Sequence, residues 1–178
     1  MSTLGIIKTR QMKISIFVLI LIFSPLLIIG QEAWLSTPES INQFREQVES
    51  MNPDTSQFDL MVSNKTIQLP GRELEIRIYK PEGGNLKPTL IYVHGACWVA
   101  GSLDSHDEIC RYLSKQSNVN VIAINYRLAP ENKYPAAHND VYDATKWIWD
   151  HAIELGLDTE QFAIAGESTG AYFTAATI

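Results

Sequence analysis

The sequence predicts an α/β layered protein, a central, mostly parallel sheet flanked by helices. Three observations carry that expectation. Residues 73–79 alternate strictly, with Leu74, Ile76 and Ile78 apolar and Glu73, Glu75 and Arg77 polar, as in a half-exposed antiparallel strand at the edge side of a sheet. From residue 89 onward, strand-like and helix-like runs take turns, the pattern of parallel strands joined by crossover helices. Finally, Gly166-Glu167-Ser168-Thr169-Gly170 stands directly between an apolar run at 162–165 and a helix-like run at 171–178. Strand, tight turn and helix follow in that order.

The elements can be justified in turn. An apolar stretch over 14–29 follows Lys8, Arg10 and Lys13, contains Ser24-Pro25 and ends at Gly30. It is short for a membrane span and has the shape of a signal peptide over residues 1–30, cleaved after Gly30, with Met12 a possible true start. This leads us to expect a secreted or periplasmic protein with no stable membrane span after cleavage; an uncleaved anchor is the alternative. Thr37-Pro38 opens a helix with proline at its first position, and Ile41, Phe44, Val48 and Met51 recur on one face. Residues 81–88, with Gly83-Gly84-Asn85, read as a hairpin-type connection from the alternating strand to a buried strand at 89–93. Ser105 with Glu108 reads as a capping box for the helix holding Ile109 and Leu113. Residues 119–124 are almost wholly apolar, as a strand covered on both faces should be. Ala137, Val141, Ala144, Ile148, Ala152 and Leu155 then mark a long helix that Gly156 stops.

Composition narrows the function. Hydrophobic residues make up 46% of the 178-residue chain and charged residues 19%, enough apolar material for a core. The net charge is −6, and the leader holds three basic residues and no acid, so the remainder is more negative still. Nucleic acid is a poor partner for such a surface. The sequence has no Gly-rich phosphate loop and no Cys/His spacing of a zinc site, so neither a metal nor an organic cofactor is expected. Cys97 and Cys110 could pair in an oxidising compartment, but a bridge would tie down a strand-end loop, and two mostly buried free thiols are the expectation.

The chemistry lies in the strand-end loops. G-x-S-x-G in this context is a nucleophile elbow, with glycines flanking the turn and Ser168 presented at the head of a helix. His94-Gly95-Ala96-Cys97-Trp98 follows the strand at 89–93, and small residues there let backbone N–H groups face a developing negative oxygen. Between the two lie Tyr126-Arg127-Leu128-Ala129-Pro130-Glu131 and Tyr134-Pro135-Ala136-Ala137. This ordered set resembles the hormone-sensitive-lipase-like esterases of the α/β-hydrolase fold, over about residues 62–178.

The resemblance implies a serine carboxylic-ester hydrolase acting on short to medium acyl esters through an acyl-enzyme. It implies Ser168 as nucleophile and the backbone around Gly95, Ala96, Cys97 and Thr169 as oxyanion hole; Trp98, which follows that loop directly, is a candidate wall of the substrate pocket. Where the family reads His-Gly-Gly-Gly, this chain has alanine and cysteine at the last two positions. Ala96 can still donate if its backbone avoids positive φ, and Cys97 adds a side chain where substrate should approach. Residues 31–60 become a candidate helical cap ahead of a hydrolase domain at 61–178. The family's Asp and His would follow the serine, which places them beyond Ile178, so the chain reads as an N-terminal part. His94, His106, His138 and His151 all precede Ser168, and none is expected to act as general base. Glu167 is a support residue at most, and Trp147 and Trp149 are expected to pack. The alternative is a non-catalytic homologue that binds a small molecule, as the similar plant gibberellin receptors do.

Overall fold

A computed structural model describes residues 35–51, 55, 57–83 and 86–178. The leader and Gly84-Asn85 therefore lie outside the described residues. Helix α1 (Pro38–Glu49) begins as expected: the Thr37 side chain accepts from the Ser40 N–H at 3.2 Å and Pro38 sits where a donor is not needed. Ile41 and Val48 are buried, whereas Met51 lies past the helix end and is 59% exposed.

Five strands form one mixed sheet in the order β1-β2-β4-β3-β5: β1 (Met61–Leu69), β2 (Arg72–Lys80), β3 (Thr89–Val93), β4 (Asn120–Ile124) and β5 (Phe162–Gly166). β1 and β2 are an antiparallel hairpin turned at Gly71, whose φ of 73° favours glycine. Two expectations are corrected here. The alternating strand is not at the edge, because β1 covers one side of it and antiparallel β4 the other. Nor are residues 81–88 a hairpin: they carry the chain past the position of β4 to β3, which pairs parallel with β4 and β5. In β1 the apolar period is interrupted by Ser63-Asn64-Lys65-Thr66, which hid the strand.

All five residues of β4 are buried, and successive side chains serve opposite faces. Ile122 and Ile124 join the larger core with Ile76, Val93, Val141, Ile148 and Phe173, beneath α3 (Ala136–Asp150) and α4 (Thr169–Thr177). Val121 and Ala123 meet Tyr79, Tyr92, Leu103 and Cys110 on the face covered by α2 (Asp107–Ser117). Each such aliphatic side chain removed from water contributes about 1.5–3 kcal/mol.

The expected capping box is absent: His106 is the N-cap of α2 and makes no side-chain cap bond, while Ser105 Oγ instead receives the Ser102 N–H at 2.8 Å. Asp107, one residue on, is the first residue of α2. It is buried and accepts from Tyr79 Oη at 2.9 Å, Arg77 and Arg111. Helix α3 ends earlier than expected, at Asp150, and turns carry the chain to Gly156 at φ 66°. Ala152 and Leu155 remain buried all the same. Trp147 packs on the core and stacks on His151, and Trp149 lies against Phe162.

Candidate active site

Because β3 and β5 are parallel neighbours with Val93 opposite Gly166, the two motif loops leave the same edge of the sheet side by side. Ser168 occupies the turn between β5 and α4 with φ 49° and ψ −118°, a sparsely populated conformation for a residue with a side chain. The turn is tight. A Cβ on Gly170 would lie 2.0 Å from the Val93 carbonyl oxygen, and one on Gly166 2.5 Å from the Gly170 carbonyl carbon and oxygen. Gly95 faces the same constraint, since its Cβ would come within 2.9 Å of the Glu167 carbonyl oxygen and 3.1 Å of Ser168 Cβ. The Gly170 and Ala171 N–H groups turn back to the Glu167 carbonyl at 2.7 and 3.4 Å. Thr169 is the first helical residue, so its N–H is one of the donors that a helix leaves unpaired at its start. Among the described residues, Ser168 Oγ has no hydrogen-bond partner.

The neighbouring loop does not meet the condition set for Ala96. Ala96, Cys97 and Trp98 have φ of 83°, 57° and 64°, three consecutive left-handed residues, none of them glycine. The curl brings the Val99 and Ala100 N–H groups onto the Ala96 carbonyl at 3.3 and 3.1 Å and leaves the Ala96 and Cys97 N–H groups without a backbone acceptor. Cys97 is a half-buried free thiol and Cys110 a fully buried one, whose pKa burial pushes up.

His94 lies beneath this loop. Its Nδ1 is 2.9 Å from the Gly95 carbonyl, so that nitrogen carries the proton, and its Nε2 is buried without a partner. Burial pushes its pKa down to about 4, against the raising effect of the Gly95 hydrogen bond. The ring stacks on Tyr126 at 4.2 Å, and Tyr126 Oη donates to the His94 carbonyl at 2.9 Å. Gly101 closes the underside: at φ 91°, a Cβ there would sit 2.5 Å from His94 Nδ1.

Helix α1 braces the same loop from outside. Arg45 donates from Nε to the Val99 carbonyl at 2.6 Å and from Nη2 to the Ala129 carbonyl at 2.9 Å, and forks onto both Glu131 oxygens at 2.9 and 2.7 Å. The hydrogen bonds from Arg45 hold the Glu131 carboxyl down at about 2. Ala129 N–H in turn donates to the Trp98 carbonyl at 2.9 Å. Arg127 is architecture: with Arg72 it surrounds the wholly buried Asp140. Burial alone would raise the Asp140 carboxyl, but the hydrogen bonds from Arg127 and Arg72 outweigh it and hold the carboxyl below the usual range.

Trp98, Ala129, Tyr134, His138, Tyr172 and Phe173 are among the walls of an apolar cavity of about 480 Å³, with Trp98 edge-on to Tyr172 at 6.3 Å. A further contact was not legible in the sequence. His106 Nε2 lies 2.8 Å from Glu167 Oε1, joining residues 61 positions apart. Neither residue type nor spacing signals that pair. Among the described residues no group of three or more His, Cys, Asp or Glu side chains could hold a metal ion.

The fold and this pair of loops define an α/β hydrolase. A family model described as alpha/beta hydrolase fold matches residues 90–178, and the chain belongs to that family, in its hormone-sensitive-lipase-like esterase branch. It is 38% identical over 120 residues to a carboxylic ester hydrolase of Mycobacterium tuberculosis, covering 67% of this chain and 32% of that protein. It is 34% identical over 139 residues to an ethyl acetate hydrolase of Pseudomonas putida, covering 76% and 44%. Among solved structures, the thermostable carboxylesterase EstE1, cloned from a metagenomic library, superposes with a TM-score of 0.70 at 38% identity, over 77% of this chain and 47% of that one. An esterase of Pyrobaculum calidifontis gives 0.70 at 37%, over 86% and 52%. The chain thus spans less than half the length of the two curated relatives, and about half of the two structures.

Proposed function

We propose that the protein is a serine carboxylic-ester hydrolase acting on short to medium acyl esters. The observation that carries this reading is the placement of Ser168 on a strained elbow beside unpaired backbone donors at Ala96, Cys97 and Thr169. Ser168 Oγ adds to the ester carbonyl carbon, its proton passes to a general base, and the carbonyl oxygen becomes an oxyanion. Those N–H groups, with Gly95 giving the loop its close approach to the elbow, receive that charge. Each such donor contributes about 2.7–4 kcal/mol to the transition state. Collapse of the intermediate expels the alcohol, and water then releases the acid from the acyl-enzyme. Trp98 and the other aromatic walls hold the apolar part of the ester. Residues 31–60, including α1, serve as cap, and the leader directs the protein to the secretory route or periplasm.

Support comes from the relatives, named as ester hydrolases, and from the loops described above. The test is turnover of p-nitrophenyl acetate, butyrate and octanoate by the full-length protein and by Ser168→Ala. The expected result is hydrolysis that falls by on the order of a millionfold in the variant. Cys97 sets its side chain where the family has none, which favours a second reading, a pocket that binds esters without cleaving them. Saturable ester binding with no turnover in the unsubstituted protein would decide for it.

A further inference from the structure

His106 and Glu167 belong to different loops, yet both lie next to the groups that have to be aligned. Glu167 precedes Ser168 directly, and its backbone is in near contact with Gly95. His106 is the N-cap of α2, the helix that follows the oxyanion loop. Its two ring nitrogens are both engaged: Nε2 lies 2.8 Å from Glu167 Oε1 and Nδ1 3.0 Å from Ser105 Oγ. A carboxylate only accepts, so Nε2 carries the proton, and the ring has no free nitrogen with which to receive one from Ser168. The ring's other contact is with His94, stacked at 5.1 Å, and His94 is stacked on Tyr126. The imidazole therefore touches, on one side, the residue before the nucleophile and, on the other, the residue that opens the oxyanion loop.

We infer that His106 and Glu167 form a positioning pair that holds the nucleophile elbow in register with the oxyanion loop, neither of them exchanging a proton with substrate. This rests on the esterase reading above. The pair has a reason to exist in this chain. The oxyanion loop has no glycine at its three left-handed positions, so it has an incentive to relax, and a side-chain tie is what resists that drift. The Glu167 carboxylate acts on buried neighbours as well: after burial itself, its charge helps to push up the pKa of the Tyr92 and Tyr126 hydroxyls. At 56% exposure the Glu167 side chain adds little to the core, so its removal can be separated from unfolding.

The experiment is a double-mutant cycle in the full-length protein, with kcat, KM and melting temperature read for each variant. Glu167→Ala and His106→Ala are each expected to lower kcat about 10- to 100-fold with KM within about twofold, because misplacement of the reacting groups penalises the transition state. The double variant is expected to be no slower than the slower single one, since one tie is lost in all three. Glu167→Gln, whose amide oxygen still accepts from Nε2, is expected to recover kcat to within about threefold of the parent at an unchanged melting temperature. Unchanged kcat in Glu167→Ala, or losses that multiply in the double variant, would overturn the pairing. Should His106→Ala fail to fold, the contrast between Glu167→Ala and Glu167→Gln decides alone. Ser168→Ala separates the two readings: turnover that survives it removes the esterase reading and the pairing with it, whereas turnover that vanishes while Glu167→Ala stays at full rate removes only the pairing.

Discussion

The elbow and the oxyanion loop leave adjacent strands and face one site, yet they are held in opposite ways. In the elbow, Gly166 and Gly170 have no left-handed φ; they are glycines because backbone atoms occupy the space a Cβ would need. In the oxyanion loop Gly95 shares that constraint, but positions 96–98 beyond it hold alanine, cysteine and tryptophan, and there it is the backbone conformation that would favour glycine. A steric requirement is absolute, since a carbonyl group on a packed strand cannot yield. A conformational requirement costs roughly 1–2 kcal/mol per residue and can be offset by contacts elsewhere. Here Arg45, His94 and the Ala129–Trp98 bond supply such contacts. Tolerance of Ala96 and Cys97 is thus a property of the loop's surroundings.

The largest expected effect follows from the steric side. Gly170→Ala places a Cβ against the Val93 carbonyl oxygen, and we expect a loss of at least about 3 kcal/mol in urea unfolding, or no folded protein at all. A variant of parental stability would break the comparison. Next comes His94, which supports the conformational side. Its folded pKa of about 4 lies below the ordinary 6.5, so its contribution is complete above pH 6.5 and is lost as pH falls through 4. Up to about 3 kcal/mol should disappear between pH 7 and pH 4, and His94→Gln should flatten that part of the stability profile. Arg45→Ala, which frees two loop carbonyls and Glu131, is expected to remove about 1.5–3 kcal/mol. Because Glu131 remains ionised down to about pH 2, this loss should be the same at pH 5 and pH 8. The smallest change has the opposite sign. Ala96→Gly and Cys97→Gly should each stabilise by about 1 kcal/mol, the relief of left-handed strain less the entropy of an added glycine. If both destabilise, the loop is not strained and the contrast with the elbow falls.

What could be read from the chain divides along similar lines. Strands β3 and β4 were legible because a strand buried on both faces needs an unbroken apolar run, β5 because its short apolar run leads straight into the G-x-S-x-G turn, and the start of α1 because Thr37-Pro38 is a local signal. The positions of Ser168, Ala96, Cys97 and Thr169 followed from motifs that each belong to one turn. Strand β1 was not legible, because its polar middle suits an outer strand whose partner lies on one side only. The capping box at Ser105 failed for a related reason: the Ser102 N–H competes for the same hydroxyl, and α2 starts later. The left-handed curl at Ala96 and the His106–Glu167 contact are decided by tertiary packing, and no spacing rule along the chain reports on either.

The pairing of Val93 with Gly166 has a consequence for how this architecture can change over time. The Ser168 turn and the 94–98 loop spring from neighbouring strands, so their separation is a sheet spacing, about 4.8 Å, which no side-chain substitution can stretch. The cavity walls come instead from scattered segments around residues 98, 129–138 and 172–173. On the proposed esterase reading, reaction geometry and substrate choice are therefore inherited on separate parts of the chain, and the walls can be rewritten residue by residue while the ruler beneath them stays the same.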